Sequence, residues 1–317
     1  MPTSDSPLAT TRILFFGTPR FGVPILRALH AAGASLLCIT NPDKTVGRRK
    51  ALTAPPVKQE ASRLSLRVIQ PQRIDEQLME ELRTFHPDVA VLAAFGKIIP
   101  PGLLTLPKRG FVNVHASLLP KYRGASPIAA AILAGESETG ITIMQMDERL
   151  DHGPVLSQRS LPLDGSETVG TLTAALAEIG ASLLLDALPR VLDGTLRPAP
   201  QDDSEATMTH VIKKEEAKID WNNSASLIER QIRAYQPWPV AWTVYQGKKV
   251  QIHRAQISSM HATGAPSTII AEEGRLVAHC GGGGALEIIE LQQEGKRKMT
   301  AQEYLNGNLR YLPAIFG

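Results

Sequence analysis

Cysteine is scarce in this sequence, and the scarcity excludes disulfide-stabilised proteins and cysteine-based metal sites. The 317 residues contain only Cys38 and Cys280, which lie far apart and match no disulfide or metal-binding spacing. Long apolar runs are also missing, because no stretch approaches the roughly eighteen consecutive apolar residues of a membrane span. The sequence therefore predicts two inert thiols in a globular protein that makes no contact with a membrane.

A secretory signal is missing from the N-terminus. The opening residues, MPTSDSPLATTR, lack the apolar core that such a signal requires. An organelle import peptide is the alternative, but these residues include one arginine and an acid, Asp5, whereas import peptides are rich in arginine and poor in acids. We expect residues 1–11 to form a disordered leader and the protein to be cytoplasmic.

No complete phosphate-binding motif occurs either. The best candidate is GTPRFG, residues 17–22, which follows the first apolar run. It lacks the G-x-G-x-x-G spacing of a dinucleotide site, and Val23 and Pro24 stand where a Walker loop would end in Lys-Ser/Thr. We interpret it as a tight turn between a strand and a helix, so an oxidoreductase loses its main support.

What is present is a regular alternation of strand and helix patterns in the first half of the chain. RILFFG (12–17) is typical of a buried strand, and the residues after it, VPILRALHAAG, have helical periodicity. Strands that alternate with helices form a parallel sheet with both faces covered. We expect an α/β domain over residues 12–197, with a doubly wound, mostly parallel, Rossmann-like sheet.

The pattern changes after residue 197. Residues 198–208 are polar and include a proline, which indicates a linker. Short strand patterns at the spacing of a small β-barrel follow, so we expect an OB-like barrel domain over residues 209–317. The net charge of +3 arises entirely in residues 207–317, which carry 13 basic and 10 acidic side chains. This mild bias fits either a solvated surface or a nucleic-acid contact.

Three polar side chains are expected at the carboxyl edge of the predicted sheet, where ligands bind in doubly wound folds. Asn113 and His115 share one face of the strand pattern GFVNVHAS (110–117) by the two-residue alternation of strands. Asp151 follows the strand TGITIMQM, and it can accept a hydrogen bond from an imidazole N–H and so fix the tautomer of His115. An isolated histidine is more often a satisfied core residue, but this one has two polar companions.

The trio suits attack by an external nucleophile on an acyl carbon. Asn113 can donate to an oxyanion, His115 can handle a proton, and the chain offers no nucleophile of its own nearby. Ser117 lies in a corner rather than in a G-x-S-x-G turn. A metal site built from His115, Asp151 and His152 is the alternative, but it lacks a third well-spaced ligand.

Several separated motifs resemble the folate-dependent formyltransferases. The strongest are NVHASLLPKYRGASPI and MDERLDHGPVL. Further segments resemble the methionyl-tRNA formyltransferase family within that group, and together they span nearly the whole chain: ILFFGTPRFGVPIL, NPDKTVGRRKALTAPPVK, SETGITIMQMD, KKEEAKIDW, IRAYQPWPVAW and MTAQEYLNG. The resemblance implies transfer of the formyl group of 10-formyltetrahydrofolate to methionine on initiator methionyl-tRNA, for translation initiation, without a metal.

The resemblance also implies roles for individual residues. It assigns catalysis to Asn113, His115 and Asp151. Two short segments are implied to bind folate, with these members: Ser117, Leu118, Leu119 and Pro120 in a turn, and Phe95, Gly96 and Ile98 along the pterin. The chain departs from the family pattern at LDHGP, where His152 and Pro154 replace a threonine and a second acid, and at GRRKAL, where GRGKKL is common.

The tRNA contacts are expected among basic residues in two regions. One is the loop of residues 41–58, with Lys44, Arg48, Arg49 and Lys50. The other is the barrel domain, with Lys213, Lys214, Lys248, Lys249 and the cluster Lys296, Arg297 and Lys298. We expect a monomer with no obligate protein partner. Two alternatives stay open: a formyltransferase acting on a small amine, such as a glycinamide nucleotide or an amino sugar, and an RNA-binding protein with an inactive core.

Overall fold

The chain divides into two compact units. The computed structural model describes residues 8–46, 51–260, 262–308 and 312–317. Unit 1 comprises Met1–Pro127, Glu138–Pro162 and Thr173–His210, and unit 2 comprises Ile128–Ser137, Leu163–Leu172 and Val211–Gly317. Most of the expected leader and three expected tRNA contacts, Arg48, Arg49 and Lys50, lie outside the described residues. Leu8, within the expected leader, is buried.

The described residues of unit 1 form eleven short or medium strands, and one sheet dominates the unit. The strands are β1 (Arg12–Gly17), β2 (Ser35–Ile39), β3 (Lys44–Val46), β4 (Ala51–Thr53), β5 (Arg67–Ile69), β6 (Val89–Ala93), β7 (Phe111–His115), β8 (Arg123–Gly124), β9 (Glu138–Gln145), β10 (Val155–Pro162) and β11 (Met208–Thr209). The helices up to residue 193 are α1 (Gly22–Ala31), α2 (Pro56–Arg63), α3 (Glu76–Thr84), α4 (Pro101–Leu104), α5 (Pro127–Ala134) and α6 (Val169–Asp193).

The main sheet has seven strands in the order β10-β9-β7-β6-β1-β2-β5. The five strands from β7 to β5 are parallel, whereas β9 runs antiparallel to β7 and β10 antiparallel to β9. Residues 13–17 of β1 are all buried, because a central parallel strand is covered on both faces. Phe16 anchors one side of the sheet, with its ring centroid 5.2 Å from that of Phe95 and 5.1 Å from that of Phe111.

Helix α6 is the longest helix of the described residues. Its length and composition would suffice to cross a membrane, but half of its most apolar window is buried inside the protein. Gly180 lets this helix approach the sheet closely, because a Cβ there would lie 2.9 Å from Cγ1 of Val114. Gly194, with a φ of +81°, follows its last residue, as is common at helix C-termini. We interpret α6 as a core helix.

Unit 2 is built on an antiparallel sheet that curves into a nearly closed barrel. Its strands are β12 (Trp242–Tyr245), β13 (Lys248–Ile257), β14 (Thr268–Glu272), β15 (Arg275–His279), β16 (Ala285–Gln293), β17 (Met299–Thr300) and β18 (Ala314–Ile315), and its later helices are α7 (Ala225–Ala234) and α8 (Ala301–Asn308). The strand order is β12-β13-β16-β15-β14-β18, with β17 paired to β16. Ile228, Ile252 and Leu286 lie in one buried core.

The predicted fold class is confirmed: a parallel-rich, Rossmann-like sheet precedes a C-terminal barrel. The barrel strands lie within residues 242–315, inside the range expected for the barrel domain. Both cysteines are buried, and burial raises the pKa of the Cys38 thiol and of the Cys280 thiol to about 12. Neither thiol is a reactive thiolate at neutral pH, as the sequence predicts.

Candidate active site

The polar trio lies beside the pairing of β7 with its antiparallel neighbour β9. Asn113 and His115 are on β7, and their partners across the ladder are Met144 and Thr142 of β9. Both side chains are buried. Burying a polar side chain costs free energy unless it has hydrogen-bond partners, so both need such partners. Asp151 follows β9 in the loop of residues 146–154, and its side chain is 12% exposed. Strand alternation therefore places Asn113 and His115 on one face of β7, and the loop after β9 brings Asp151 next to them.

Asp151 connects the members of the trio. Its Oδ1 accepts a hydrogen bond of 3.1 Å from Nδ2 of Asn113, and its Oδ2 accepts one of 2.8 Å from the backbone N–H of Gly124. The Nδ1 atom of His115 lies 3.7 Å from Asp151 Oδ2. This distance exceeds a hydrogen bond, so the direct bond expected between His115 and Asp151 does not form.

The tautomer of His115 is instead set by Tyr122. Nε2 of His115 lies 3.0 Å from the carbonyl oxygen of Tyr122. A carbonyl oxygen can only accept, so Nε2 carries a proton and, in the neutral ring, Nδ1 carries the lone pair. The basic nitrogen of His115 therefore faces the Asp151 carboxylate, and it is the nitrogen able to accept a proton.

Two residues of this site have backbones in the left-handed region. Tyr122 has a φ of +62° and Asp151 a φ of +46°. Such conformations are uncommon for residues other than glycine and cost about 1–3 kcal/mol each when the surroundings impose them. Strained residues of this kind concentrate at functional sites. Here one holds the His115 ring through its carbonyl group, and the other is the acid of the trio.

The turn expected to bind folate is held firmly by its own hydrogen bonds. Ser117 is fully buried, and its Oγ donates to the carbonyl oxygen of Lys121 at 2.7 Å. The backbone N–H of Leu119 donates to Oγ1 of Thr142, whose own hydroxyl donates to the carbonyl oxygen of Ser117. Leu118 and Pro120 are half-buried. The turn thus offers a rigid surface next to His115 rather than free hydroxyl groups.

The second segment expected along the pterin presents a mixed surface. The Phe95 side chain is buried in the sheet core. Its carbonyl oxygen accepts a hydrogen bond of 2.7 Å from Nδ2 of Asn41. Gly96 has a φ of +78°. Ile98 is 91% exposed, which is unusual for an isoleucine. Asn41 was not predicted from the sequence as a site residue, because it lies in a polar loop without periodicity.

The expected metal alternative gains no support from the position of His152. Its Nδ1 lies 2.6 Å from Oδ2 of Asp147, and its Nε2 lies 2.6 Å from Nη1 of Arg149. His152 is thus directed to a neighbouring ion-pair network and not to His115. Within the described ranges, no group of three side chains with metal-ligand chemistry comes together.

The basic residues expected to contact tRNA fall into two kinds. Lys298 forms an ion pair of 2.6 Å with Glu290, and Arg297 forms one of 2.6 Å with Glu303. In contrast, Lys213, Lys214, Lys248 and Lys249 have no carboxylate within ion-pairing distance among the residues that the structure describes. Lys44, on β3, is exposed. The barrel therefore has a set of cations that are free to meet phosphates.

A tryptophan that the sequence interpretation missed lies among these free cations. The Nζ atom of Lys249 is 4.4 Å from the ring centroid of Trp242, and that of Lys218 is 6.0 Å away. The indole Nε1 donates to the carbonyl oxygen of Lys214 at 3.3 Å, and Trp242 is only partly buried. We name the following set the basic patch: Lys213, Lys214, Lys218, Trp242, Lys248 and Lys249.

A polar segment at the end of unit 1 also contributes to the site. Residues 199–209, which we name the strap, overlap the expected linker and contact the loops that carry Tyr122 and Asp151. Its contacts with these loops come from residues that the sequence interpretation did not single out: Ala199, Gln201, Asp203, Thr207 and Thr209. No local periodicity marks them, because every contact is distant in sequence.

Comparison with known proteins covers both units. The family described as "Formyl transferase" matches residues 11–188, and that described as "Formyl transferase, C-terminal domain" matches residues 211–309. A methionyl-tRNA formyltransferase of Halalkalibacterium halodurans is 47% identical over 300 residues, covering 93% of this chain and 94% of its own length.

Solved structures of lower identity share the fold. The methionyl-tRNA formyltransferase from Clostridium thermocellum has a TM-score of 0.56 at 19% identity, covering 88% of this chain and 99% of its own. An N-formyltransferase from Helicobacter canadensis, in complex with folinic acid and dTDP-3-aminofucose, has a TM-score of 0.67 at 18% identity, with coverage of 88% and 99%.

Proposed function

This chain belongs to the formyl transferase family, and we propose that it transfers the formyl group of 10-formyltetrahydrofolate to the α-amino group of methionine on initiator methionyl-tRNA. The product serves translation initiation. The observation that carries the proposal is the convergence of Asn113, His115 and Asp151 at the carboxyl edge of the sheet. We propose further that one cytoplasmic chain acts without an obligate partner protein.

In this mechanism His115 handles the proton of the attacking amine. The amine must be neutral to attack the formyl carbon, and Nδ1 of His115 is the ring nitrogen left free by the Tyr122 carbonyl group. Asp151 lies beside Nδ1 and stabilises the imidazolium that forms there. The proton is passed on to N10 as the carbon–N10 bond breaks, so that charge balances. A positioned acid-base of this kind contributes about 100- to 10,000-fold.

Asn113 supports the same step from the other side of Asp151. Its Nδ2 carries two protons and donates one to Asp151, so a second N–H remains for the formyl oxygen as negative charge develops. A single donor of this type contributes about 3 kcal/mol to lowering the barrier. Asp151 thereby fixes both the base and the oxyanion donor.

The folate donor fits the edge of the sheet between the two predicted segments. Leu118 and Pro120 are half-buried and Ile98 is exposed, so this edge offers apolar surface to an aromatic ring system. Polar atoms nearby are the Phe95 carbonyl group and the amide of Asn41. The proposal assigns no role to a metal ion.

The acceptor proposal depends on the relatives and on the basic patch. The relative at 47% identity is named a methionyl-tRNA formyltransferase. Free lysines grouped around a partly buried indole suit a polynucleotide, because lysines neutralise phosphates and an aromatic ring can stack on a base. Arg48, Arg49 and Lys50, together with Lys44, are proposed as further contacts from the loop of residues 41–58.

A competition assay tests the proposal. Purified protein would receive 10-formyltetrahydrofolate and, in separate reactions, methionyl-tRNA, a glycinamide ribonucleotide or a nucleotide-linked amino sugar. We expect formylation of methionyl-tRNA alone. Formylation of a small amine with no reaction on methionyl-tRNA would replace the acceptor but keep the reaction class. Binding of tRNA without turnover of any acceptor would instead indicate an RNA-binding protein with an inactive core.

A further inference from the structure

The strap connects the two loops of the candidate active site. Its first contact is a pair of backbone hydrogen bonds between Ala199 and Val155, of 2.8 and 2.7 Å. Its last is the parallel pairing of β11 with β8, in which Thr209 lies opposite Gly124. Between these ends the strap passes the Asp151 loop first and the Tyr122 loop second. It thus reaches both strained residues of the site.

Gln201 holds the Asp151 loop. Its Nε2 donates to the carbonyl oxygen of Asp151 at 2.9 Å and to that of Gly153 at 2.8 Å. Its Oε1 accepts from Nε of Arg123 at 3.0 Å, which fixes the orientation of the amide. Two carbonyl groups of a strained loop are therefore bound by one side chain. Loss of this amide would remove both hydrogen bonds from the loop.

Arg123 and Asp203 anchor the strap beside Gln201. The Arg123 side chain is 6% exposed, and its Nη2 lies 2.8 Å from Oδ1 of Asp203. This guanidinium lowers the pKa of the Asp203 carboxyl, with a further contribution from Arg149. Because Arg123 contacts both Gln201 and Asp203, it joins the strap to the chain immediately after Tyr122.

Thr207 holds the Tyr122 loop. Its Oγ1 accepts from the backbone N–H of Tyr122 at 2.8 Å, and its carbonyl oxygen accepts from the N–H of Arg123 at 2.9 Å. The pairing of β11 with β8, which follows Thr207, requires a glycine at position 124. A Cβ there would collide with the carbonyl oxygen of Thr209. The strap therefore binds the peptide groups on both sides of the Tyr122 carbonyl, which holds His115.

We propose that the strap is the positioning element of the catalytic trio, with Gln201 positioning Asp151 and Thr207 positioning His115 through Tyr122. This inference depends on the proposed function. A left-handed backbone persists only where the surroundings over-determine it, and the strap holds both Tyr122 and Asp151, two of the nine described non-glycine residues with that backbone. Neither Gln201 nor Thr207 contacts the reacting atoms in this scheme.

The first test is Gln201→Leu in the full chain, which removes the amide at nearly constant volume. We expect kcat for methionyl-tRNA to fall by about 10- to 100-fold, because a misplacement of about 1 Å has that cost, while KM stays within about threefold. The matched control is Gln292→Leu. Gln292 also donates to a turn carbonyl, that of Lys296, but lies in unit 2, and we expect its kcat to stay near wild type.

The second test uses the hydroxyl group of Thr207. Thr207→Val removes the acceptor for Tyr122, whereas Thr207→Ser keeps it, so kcat should fall for valine and recover for serine. Thr195→Val is the control, because the Thr195 hydroxyl donates to Asp193 at the end of α6 and, among the described residues, to no other group. A purely structural role would lower thermal stability in both Thr207 variants without this difference in kcat.

A measurement independent of turnover separates the strap from the proposed function. The ¹⁵N shifts of the His115 ring report which nitrogen carries the proton, and Thr207→Val should change them relative to wild type and Thr207→Ser. Unchanged kcat in Gln201→Leu and Thr207→Val, with an active wild type, would overturn the strap inference alone. A wild type that formylates no acceptor would overturn the proposed function. Unchanged ring shifts would then overturn the strap inference too.

Discussion

The trio and the basic patch differ in how their polar groups are satisfied. Asn113, His115 and Asp151 are largely buried and have protein partners at defined distances. Lys248 and its neighbours in the patch are mostly exposed, and among the described residues they have no carboxylate partner. Buried polar groups require partners, whereas surface cations do not.

The contrast separates chemistry from recognition. A group held by several partners can keep one geometry through a reaction, which suits proton transfer and oxyanion stabilisation. A cation with water as its only partner can exchange that water for a phosphate at little cost. We therefore expect substitutions in the trio to lower kcat and substitutions in the basic patch to raise KM.

The largest expected effect comes from the trio. His115→Ala and Asp151→Asn should each lower kcat for methionyl-tRNA by about 100- to 10,000-fold, because each removes a part of the proton-handling pair. Affinity for methionyl-tRNA, measured by filter binding, should stay within a few-fold of wild type. Retention of more than about a tenth of wild-type kcat in both variants would contradict their roles.

A smaller effect is expected from the indole of the basic patch. Trp242→Ala should raise KM for methionyl-tRNA by about 5- to 100-fold, which corresponds to the loss of about 1–3 kcal/mol of base stacking. Steady-state kinetics would show kcat unchanged, and Trp242→Phe should recover most of the affinity. If the alanine variant, folded by circular dichroism, has a wild-type KM, then Trp242 makes no contact with tRNA.

A still smaller effect should distinguish free from paired lysines. Lys249→Ala and Lys298→Ala each remove one positive charge, but Lys298 is already paired with Glu290 at 2.6 Å. We expect Lys249→Ala to make the salt dependence of tRNA binding shallower by about one unit of slope, and Lys298→Ala to leave it unchanged. Equal slopes for the two variants would show that ion pairing does not select the contacts.

The smallest effect on activity is expected at Glu60, which belongs to neither region. Hydrogen bonds from Arg27, and then from Arg63, lower the pKa of the Glu60 carboxyl from 4.5 to about 2. A lowered pKa stabilises the fold above pH 4.5, and that stability is lost as pH falls toward 2.

Glu60→Gln should therefore lower the free energy of unfolding at pH 7 by about 1–3 kcal/mol, allowing for the exposure of both arginines. Denaturant titrations should show the two proteins converging near pH 2, while kcat at pH 7 stays at the wild-type value. A constant difference in stability from pH 7 to pH 2 would argue against the ion pairs.

The fold was predictable wherever a segment is buried as a continuous apolar run or repeats a regular period. The strand RILFFG is β1 to the residue. The β3–β4 hairpin within residues 41–58 was not predicted, since its strands are short and polar. Strands β8 and β11 were equally hidden, because two-residue strands show no period and their pairing is distant in sequence.

The site was predictable as a set of residues but not as a network. Strand alternation places Asn113 and His115 together, and the end of a neighbouring strand supplies Asp151. The Tyr122 carbonyl group was not predictable, because a backbone group has no sequence signature. Gln201 was hidden for a related reason, since a glutamine in a polar stretch is indistinguishable from any other linker residue until its partners are known.

The division of the chain into units limits how this protein can be recombined with its relatives. Residues 128–137 and 163–172 belong to unit 2 although both precede the strap, and unit 1 continues to His210. A gene fusion that joins one catalytic half to a foreign barrel at residue 197 would discard the strap. A junction just after His210 would keep it but would combine the two early segments of unit 2 with a foreign barrel. An active chimera therefore requires exchanges at several junctions, and recombination at a single junction should rarely give one.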